Sequence, residues 1–182
     1  MAMQLKAAAP TDFWRKPPNL DVATAPTHLR TLSSKDFHGA RVTVSADWTR
    51  LYDQGGFFLY LPSTVGDAKR CWVKVGIEFY NDRPNLSTVA AREWADWSLL
   101  PLDDKSVTIE IKREEVNLEK GKGSSLWVYL VEGEKHTAVR EVTWAFETEG
   151  EIAVGLYAAR PTVIDGVTGE ELVVNFENFE VE

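Results

Sequence analysis

The stretch that decides the fold is Trp72-Val73-Lys74-Val75-Gly76-Ile77-Glu78-Phe79-Tyr80. Its odd-numbered positions are all apolar, whereas its even-numbered positions carry an aromatic ring, a charge or no side chain. Successive side chains of a β-strand point to opposite faces of the sheet. The alternation therefore predicts a strand with one face in a hydrophobic core and the other face turned toward solvent or a ligand.

The same period of two recurs along most of the chain. Glycine, asparagine, aspartate and proline separate the alternating runs, as turn residues do. Many short strands at this spacing, without a long amphipathic helix, predict a sandwich or a closed barrel. The predicted strands are 41–45, 57–61, 72–80, 107–112, 126–131, 139–147, 151–159 and 172–181, with one possible helical turn at 114–119.

The N-terminal segment, residues 1–26, is rich in alanine and proline. We expect part of it to be an irregular lead-in to a single sandwich domain over residues 27–182. Phe13 and Trp14 are too apolar for a free tail, so we expect them to dock on the sandwich.

Composition limits the partners. A net charge of −8 argues against nucleic acid, because phosphate binding needs clustered lysine and arginine. No run approaches the roughly 20 apolar residues of a membrane helix, and no signal peptide is recognisable, which predicts a cytoplasmic protein without a membrane partner. Cys71 is the only cysteine, so no internal disulfide is possible and a structural thiol is expected.

Several segments are familiar in their order. Asp53-Gln54-Gly55-Gly56, Trp72 to Glu78, Leu86 to Val89 and Asp96-Trp97-Ser98, with the closing runs 152–159 and 174–179, resemble a family of uncharacterised concanavalin A-like domains. Its fungal member is named for regulation of enolase. The resemblance covers roughly residues 12–182 and implies an antiparallel two-sheet jelly roll. It implies no catalytic residues.

The outward side of 72–80 is the candidate binding face. An aromatic floor with charged groups suits a sugar, because apolar ring faces stack on aromatic side chains and hydroxyls bond to polar ones. Gly76, which has no side chain, leaves room for a ligand or another backbone. If 107–112 and 126–131 belong to the same sheet, the face joins Trp72, Lys74, Glu78, Tyr80, Glu110, Trp127 and Tyr129.

A second interpretation of this face stays open. The row can equally be a semi-polar packing layer beneath a loop or the N-terminal segment, with Lys74 and Glu78 as an ion pair. The segment 93–98 adds a possible rim, in which Trp94 or Trp97 walls a groove. A structural role is favoured for Trp97, and the role of Trp94 stays open. Arg92 is expected to reach Glu78 or a ligand carboxylate.

Catalytic signatures are weak. Glycosidases need two carboxyl groups across the sugar, and the E-x-D-x-x-E strand of laminarinase-like relatives of this fold is absent. The run from Lys74 to Glu78 resembles part of an alginate-lyase strand, but Glu78 stands at the catalytic tyrosine position. His28, His38 and His136 lack metal-ligand spacing, so no metal or cofactor is predicted.

Three functions therefore remain. The first is a carbohydrate-binding domain without turnover. The second is an enzyme acting on a sugar, with Glu78 as acid/base and Lys74 as charge stabiliser. The third is a protein-interaction module that regulates a metabolic enzyme and binds its partner through the 94–97 rim.

Overall fold

The computed structural model describes residues 2–62, 70–115 and 122–182, and every regular element within them is a β-strand. No helix long and apolar enough to cross a membrane occurs in these ranges. The strands are β1 Met3–Ala8, β2 Phe13–Lys16, β3 Leu20–Ala23, β4 Thr27–Ser33, β5 Gly39–Ser45, β6 Gln54–Leu61, β7 Cys71–Tyr80, β8 Arg83–Ala91, β9 Ala95–Pro101, β10 Ser106–Glu115, β11 Lys122–Glu132, β12 Lys135–Val142, β13 Glu151–Ala159 and β14 Glu171–Val181.

Two six-stranded antiparallel sheets and one two-stranded hairpin make up the fold. Sheet I has the order β1-β14-β5-β10-β11-β12, and sheet II has the order β4-β13-β6-β7-β8-β9. The hairpin consists of β2 and β3. The predicted all-β, concanavalin A-like jelly-roll sandwich is confirmed.

The main core lies between the two sheets. Val73, Val75 and Ile77 of β7 are fully buried in it, together with Val42 and Val44 of β5. The odd-numbered positions of β7 thus face sheet I, as the alternation predicted. The even-numbered positions lie on the outer face of sheet II.

The β2–β3 hairpin covers part of that outer face. Phe13 stacks on Phe58 with ring centroids 3.9 Å apart, and both belong to a second buried cluster with Trp72 and Tyr157. Covering large aromatic rings on the outer face of a sheet stabilises the folded state, because burial removes their apolar area from water. The N-terminal segment supplies that cover.

The N-terminal segment is more regular than the sequence suggested. Residues 3–8 form β1, an edge strand of sheet I in which Leu5 pairs with Val174. The expected irregular lead-in is therefore largely strand, and β1 is an integral part of the sandwich.

Other differences concern the strand boundaries. The strand expected at 139–147 ends at Val142, where the chain turns and the Ala145 amide donates to the Val142 carbonyl. The strands β8 and β9 were not foreseen, because Asn81, Asp82 and Pro84 read as a loop. Asn81 and Asp82 form a two-residue turn, as expected of turn residues, with φ values of 53° and 56°, the left-handed geometry of tight hairpins; β8 begins directly after them at Arg83. Glu114 and Glu115 end β10, and the remainder of the expected helical turn lies outside the described residues.

Gly76 fills a structural role. It lies directly opposite Gly56 on β6, and a Cβ added to Gly76 would overlap the carbonyl oxygen of Gly55. The neighbouring backbone, rather than a ligand, occupies the space that the missing side chain leaves.

Candidate functional site

A pocket of about 270 Å³ opens between the β2–β3 hairpin and the outer face of sheet II. The hairpin covers only part of that face, so the pocket lies beside the covered aromatic cluster. Its lining combines three aromatic rings, two carboxyl groups, two amines and an amide: Asp12, Trp14, Lys16, Tyr52, Gln54, Lys74, Glu78 and Trp97.

Strand register brings the central groups of the pocket together. Gln54 on β6 lies directly opposite Glu78 on β7, and their side chains share the outer face of sheet II. Lys74 lies four residues before Glu78 on the same face of β7, with Gly76 between them, and is opposite Phe58. Trp97 on β9 pairs with Val89 of β8, which in turn pairs with Lys74. Strands β6, β7 and β9 of sheet II, the turn before β6 and the hairpin therefore build the site.

Lys74 is buried and holds the hairpin to the sheet. Its Nζ donates to the Asp12 Oδ1 at 3.1 Å, the Phe13 carbonyl at 2.7 Å and the Gln54 Oε1 at 2.7 Å. A buried ammonium is tolerated only when it is paired and hydrogen-bonded, and these acceptors meet that need. The ion pair expected between Lys74 and Glu78 is replaced by one between Lys74 and Asp12.

Glu78 has a different environment, although only 5% of its surface is exposed. Its Oε2 accepts hydrogen bonds from the Ser87 hydroxyl at 2.7 Å and the Trp97 indole nitrogen at 3.1 Å. Burial raises the pKa of Glu78, and this effect outweighs the nearby Lys74 charge and the two hydrogen bonds, which lower it. A buried carboxyl with a raised pKa in a pocket is a candidate for proton transfer or for donation to a ligand.

Aromatic rings form the walls. Trp97 meets Trp14 edge to face with centroids 6.2 Å apart, and Tyr52 at 6.3 Å. Tyr80 stacks on Tyr52 at 5.9 Å and meets Trp97 edge to face at 5.4 Å, so it supports two walls from behind. This mutual packing limits the rotamers of the rings and keeps the pocket formed.

Tyr52 is held by the turn before β6. Its φ of 66° lies in the left-handed region, which costs a non-glycine residue about 1 kcal/mol or more. Asp53 stabilises the turn: its Oδ2 accepts from the amides of Thr49 and Arg50, and its carboxylate forms a fully buried ion pair with Arg160. Asp53 therefore has a structural role in this turn.

Four of the residues expected in the binding face lie elsewhere. Trp72 is 2% exposed beneath Phe13, out of reach of a ligand. Glu110, Trp127 and Tyr129 are on sheet I, because β10 and β11 pair with each other and β10 pairs with β5. The assumption that they share a sheet with β7 was wrong. Glu110 there bonds to His136 at 2.7 Å and Lys112 at 3.1 Å.

Arg92 and Trp94 are also outside the pocket. They line a separate groove with Trp144 between the edges of the two sheets. Arg92 pairs with Glu147 at 2.7 Å and lies over the Trp144 ring, so it does not reach Glu78. Of the predicted binding residues, the structure brings Lys74 and Glu78 into the pocket and places Tyr80 behind its wall.

Six lining residues were missed as ligand contacts: Asp12, Trp14, Lys16, Tyr52, Gln54 and Trp97. Three of them come from the hairpin, whose position over sheet II is a tertiary fact without a local sequence signal. Gln54 had a signal, since it directly precedes the alternating run of β6. Among the described residues, no cluster of three or more histidine, cysteine, aspartate or glutamate side chains has a metal-binding arrangement.

Comparison with known proteins shows to which family the chain belongs. Residues 2–182 match the model of a family described as "Protein of unknown function (DUF1349)". The chain belongs to this family. An uncharacterised protein from Emericella nidulans is 43% identical over 182 residues, which cover 98% of this chain and 84% of that protein.

Solved structures share the fold of this DUF1349 chain. A functionally unknown protein from Saccharomyces cerevisiae superposes with a TM-score of 0.77 at 20% identity, covering 100% of this chain and 87% of that one. A bifunctional GH43-CE protein from Bacteroides eggerthii gives a TM-score of 0.62 at 13% identity, with 100% of this chain but only 21% of that one covered. These names do not include regulation of enolase, so that part of the expected resemblance stays a prediction.

Proposed function

We propose that the DUF1349 chain is a carbohydrate-recognising domain whose pocket on sheet II binds a single sugar ring. The observation that carries the proposal is the buried carboxyl of Glu78 in one pocket with the perpendicular rings of Trp14 and Trp97. Sugars have apolar ring faces that pack on aromatic side chains and hydroxyls that need bonding partners at the ring edge.

The polar groups match such a ligand. The Glu78 side chain accepts two hydrogen bonds within the described residues, and both go to its Oε2. Every fully buried polar side-chain atom in these residues has a partner, so the Oε1, which accepts neither bond, is not fully buried. The Oε1 therefore remains for a ligand hydroxyl. Lys16 at the hairpin adds a donor, since an ammonium has three.

Size and charge narrow the ligand. Pockets for drug-sized molecules measure about 300 to 1,000 Å³, so 270 Å³ is suited to one ring rather than a long chain. The ammonium of Lys74 is already paired with Asp12, so the pocket has no buried cation that requires an anionic ligand. A neutral monosaccharide, or the end of a glycan, fits both constraints.

Calorimetric titration with a panel of neutral monosaccharides and disaccharides tests the proposal. Trp14→Ala removes one wall and is expected to weaken binding by tenfold or more, equal to about 1.4 kcal/mol. Trp127→Ala is the matched control, because Trp127 is also half-buried but lies on sheet I. The proposal fails if no member of the panel binds, or if the control loses binding while Trp14→Ala keeps it.

A further inference from the structure

We infer that the pocket also hydrolyses the glycosidic bond of a terminal sugar, with Glu78 as proton donor and Asp12 as proton acceptor. The inference rests on the proposed function, because it needs a sugar in the pocket. It adds a reaction, a second functional carboxyl group and a substrate class, the glycosides of a neutral sugar.

The carboxyl groups of Asp12 and Glu78 have similar hydrogen bonding. The Oδ1 of Asp12 accepts from the Lys74 ammonium, the Gln54 amide at 3.2 Å and the Phe13 backbone amide at 2.7 Å. The Oε2 of Glu78 accepts from a hydroxyl and an indole. Within the described residues, each carboxyl therefore has one oxygen fixed by the protein, and its other oxygen, Oδ2 or Oε1, is left for chemistry in the pocket.

The side chain of Gln54 lies beside both carboxyl groups. Gln54 is directly opposite Glu78, and such pairs have Cβ atoms about 4.5–5.5 Å apart. The Gln54 amide also bonds to Asp12 at 3.2 Å, and, besides burial, the charge of Asp12 lies near enough to raise the pKa of Glu78. Glycosidases use two carboxyl groups about 5–9.5 Å apart across the sugar, and Asp12 and Glu78 line one pocket.

The surroundings give the two groups opposite roles. The Oδ1 of Asp12 is paired with the buried ammonium of Lys74, and the Asp12 side chain is 23% exposed. Burial raises the pKa of Glu78, which favours its protonated form. Acid–base cleavage of a glycoside needs one carboxyl group that donates a proton and a second that accepts one, and Glu78 is the group whose environment favours donation.

The reaction balances with water as the only co-reactant. The Glu78 carboxyl transfers its proton to the glycosidic oxygen as the bond between that oxygen and the anomeric carbon breaks, and the aglycone leaves as an alcohol. A water oxygen bonds to the anomeric carbon while its proton passes to the Asp12 carboxylate. Asp12 then returns a proton to solvent and Glu78 takes one up, so both groups regain their starting states.

Hydrolysis of a panel of aryl and methyl glycosides of the common neutral sugars, followed by released phenol or reducing sugar, tests the inference. Binding of each glycoside is measured in parallel by calorimetry with Glu78→Gln, which keeps the size of the side chain. Because Glu78 also bonds to the sugar, we expect Glu78→Gln to bind the cleaved glycoside more weakly and, at saturating substrate, to hydrolyse its methyl glycoside at least a hundredfold more slowly than the unmodified protein.

The leaving group separates an acid from a merely structural residue. A 2,4-dinitrophenolate leaves without a proton, so Glu78→Gln is expected to retain most of its activity on dinitrophenyl glycosides, whereas Asp12→Asn loses activity on both types. Equal losses on both leaving groups in Glu78→Gln would overturn the assignment of the acid. Glycosides that bind without being cleaved overturn the inference and leave the binding function standing; if none binds, both fail.

Discussion

Replacing Lys74 by methionine is predicted to destabilise the fold by detaching the β2–β3 hairpin from sheet II. The Lys74 side chain is only 3% exposed and makes charge-assisted bonds to Asp12, Phe13 and Gln54. Methionine keeps most of the apolar stem but removes all three donations. The change therefore tests the polar attachment rather than the packing.

The expected loss of unfolding free energy follows from the Asp12 carboxylate, which Lys74→Met leaves without its partner. Removing one partner of a buried ion pair costs about 3–5 kcal/mol, because the other charge stays buried without compensation. The Asp12 side chain is 23% exposed, so water reaches it in part and the lower end of that range applies. We expect Lys74→Met to lower the free energy of unfolding by about 3 kcal/mol.

Urea denaturation followed by tryptophan fluorescence measures this loss, with both variants extrapolated linearly to water. Lys105→Met is the matched control: Lys105 pairs with Asp47 at 3.2 Å, but the two side chains are 65% and 91% exposed. Exposed pairs contribute about 0–1 kcal/mol. Equal losses in the two variants would refute the reasoning that Lys74 anchors the hairpin.

Three further perturbations have defined outcomes. Relative to Glu78→Gln, the unmodified protein should lose unfolding free energy as the pH rises from the ordinary glutamate pKa of 4.5 through the raised folded pKa, because the folded state holds the proton more tightly. Below pH 4.5 the difference measured by urea titrations should stay constant. Gly76→Ala should lower the melting temperature by many degrees, since its Cβ overlaps the Gly55 carbonyl; an unchanged transition in a thermal scan would contradict the close approach of β6 and β7. Asp53→Asn should cost about 3–5 kcal/mol in urea titrations by leaving Arg160 buried without its counter-ion, and a loss under 1 kcal/mol would refute the buried pair.

The fold could be predicted from the alternation of apolar and polar residues, because most of its strands have one buried face. The run from Trp72 to Tyr80 shows this most clearly: a period of two placed Val73, Val75 and Ile77 in the core. Alternation did not predict strands that are buried on both faces, or strands that carry apolar and polar residues on both faces. β8 is buried along most of its length on both faces, and it includes small and polar residues that weaken the alternation.

Only part of the pocket lining could be predicted from the sequence, and the reason is different. Which strands share a sheet depends on long-range pairing, and alternation alone does not report it. Trp127 and Tyr129 look like partners of Trp72 in sequence, yet they lie on the opposite sheet. Asp12 and Trp14 reach Glu78 only because a hairpin some 60 residues earlier folds across sheet II, driven by the burial of Phe13.

The indole proton signals of the protein provide the most direct test of the sugar pocket. The chain has seven tryptophans, and the indole of Trp97 donates to Glu78 at the base of the pocket. In a ¹H–¹⁵N spectrum titrated with the tightest-binding monosaccharide of the panel, with assignments from single Trp→Phe variants, we expect the signals of Trp97 and Trp14 to shift together along one saturable curve. The Trp127 signal is expected to stay in place. A saturable shift of Trp127, with Trp14 and Trp97 unmoved, would contradict a binding site on sheet II.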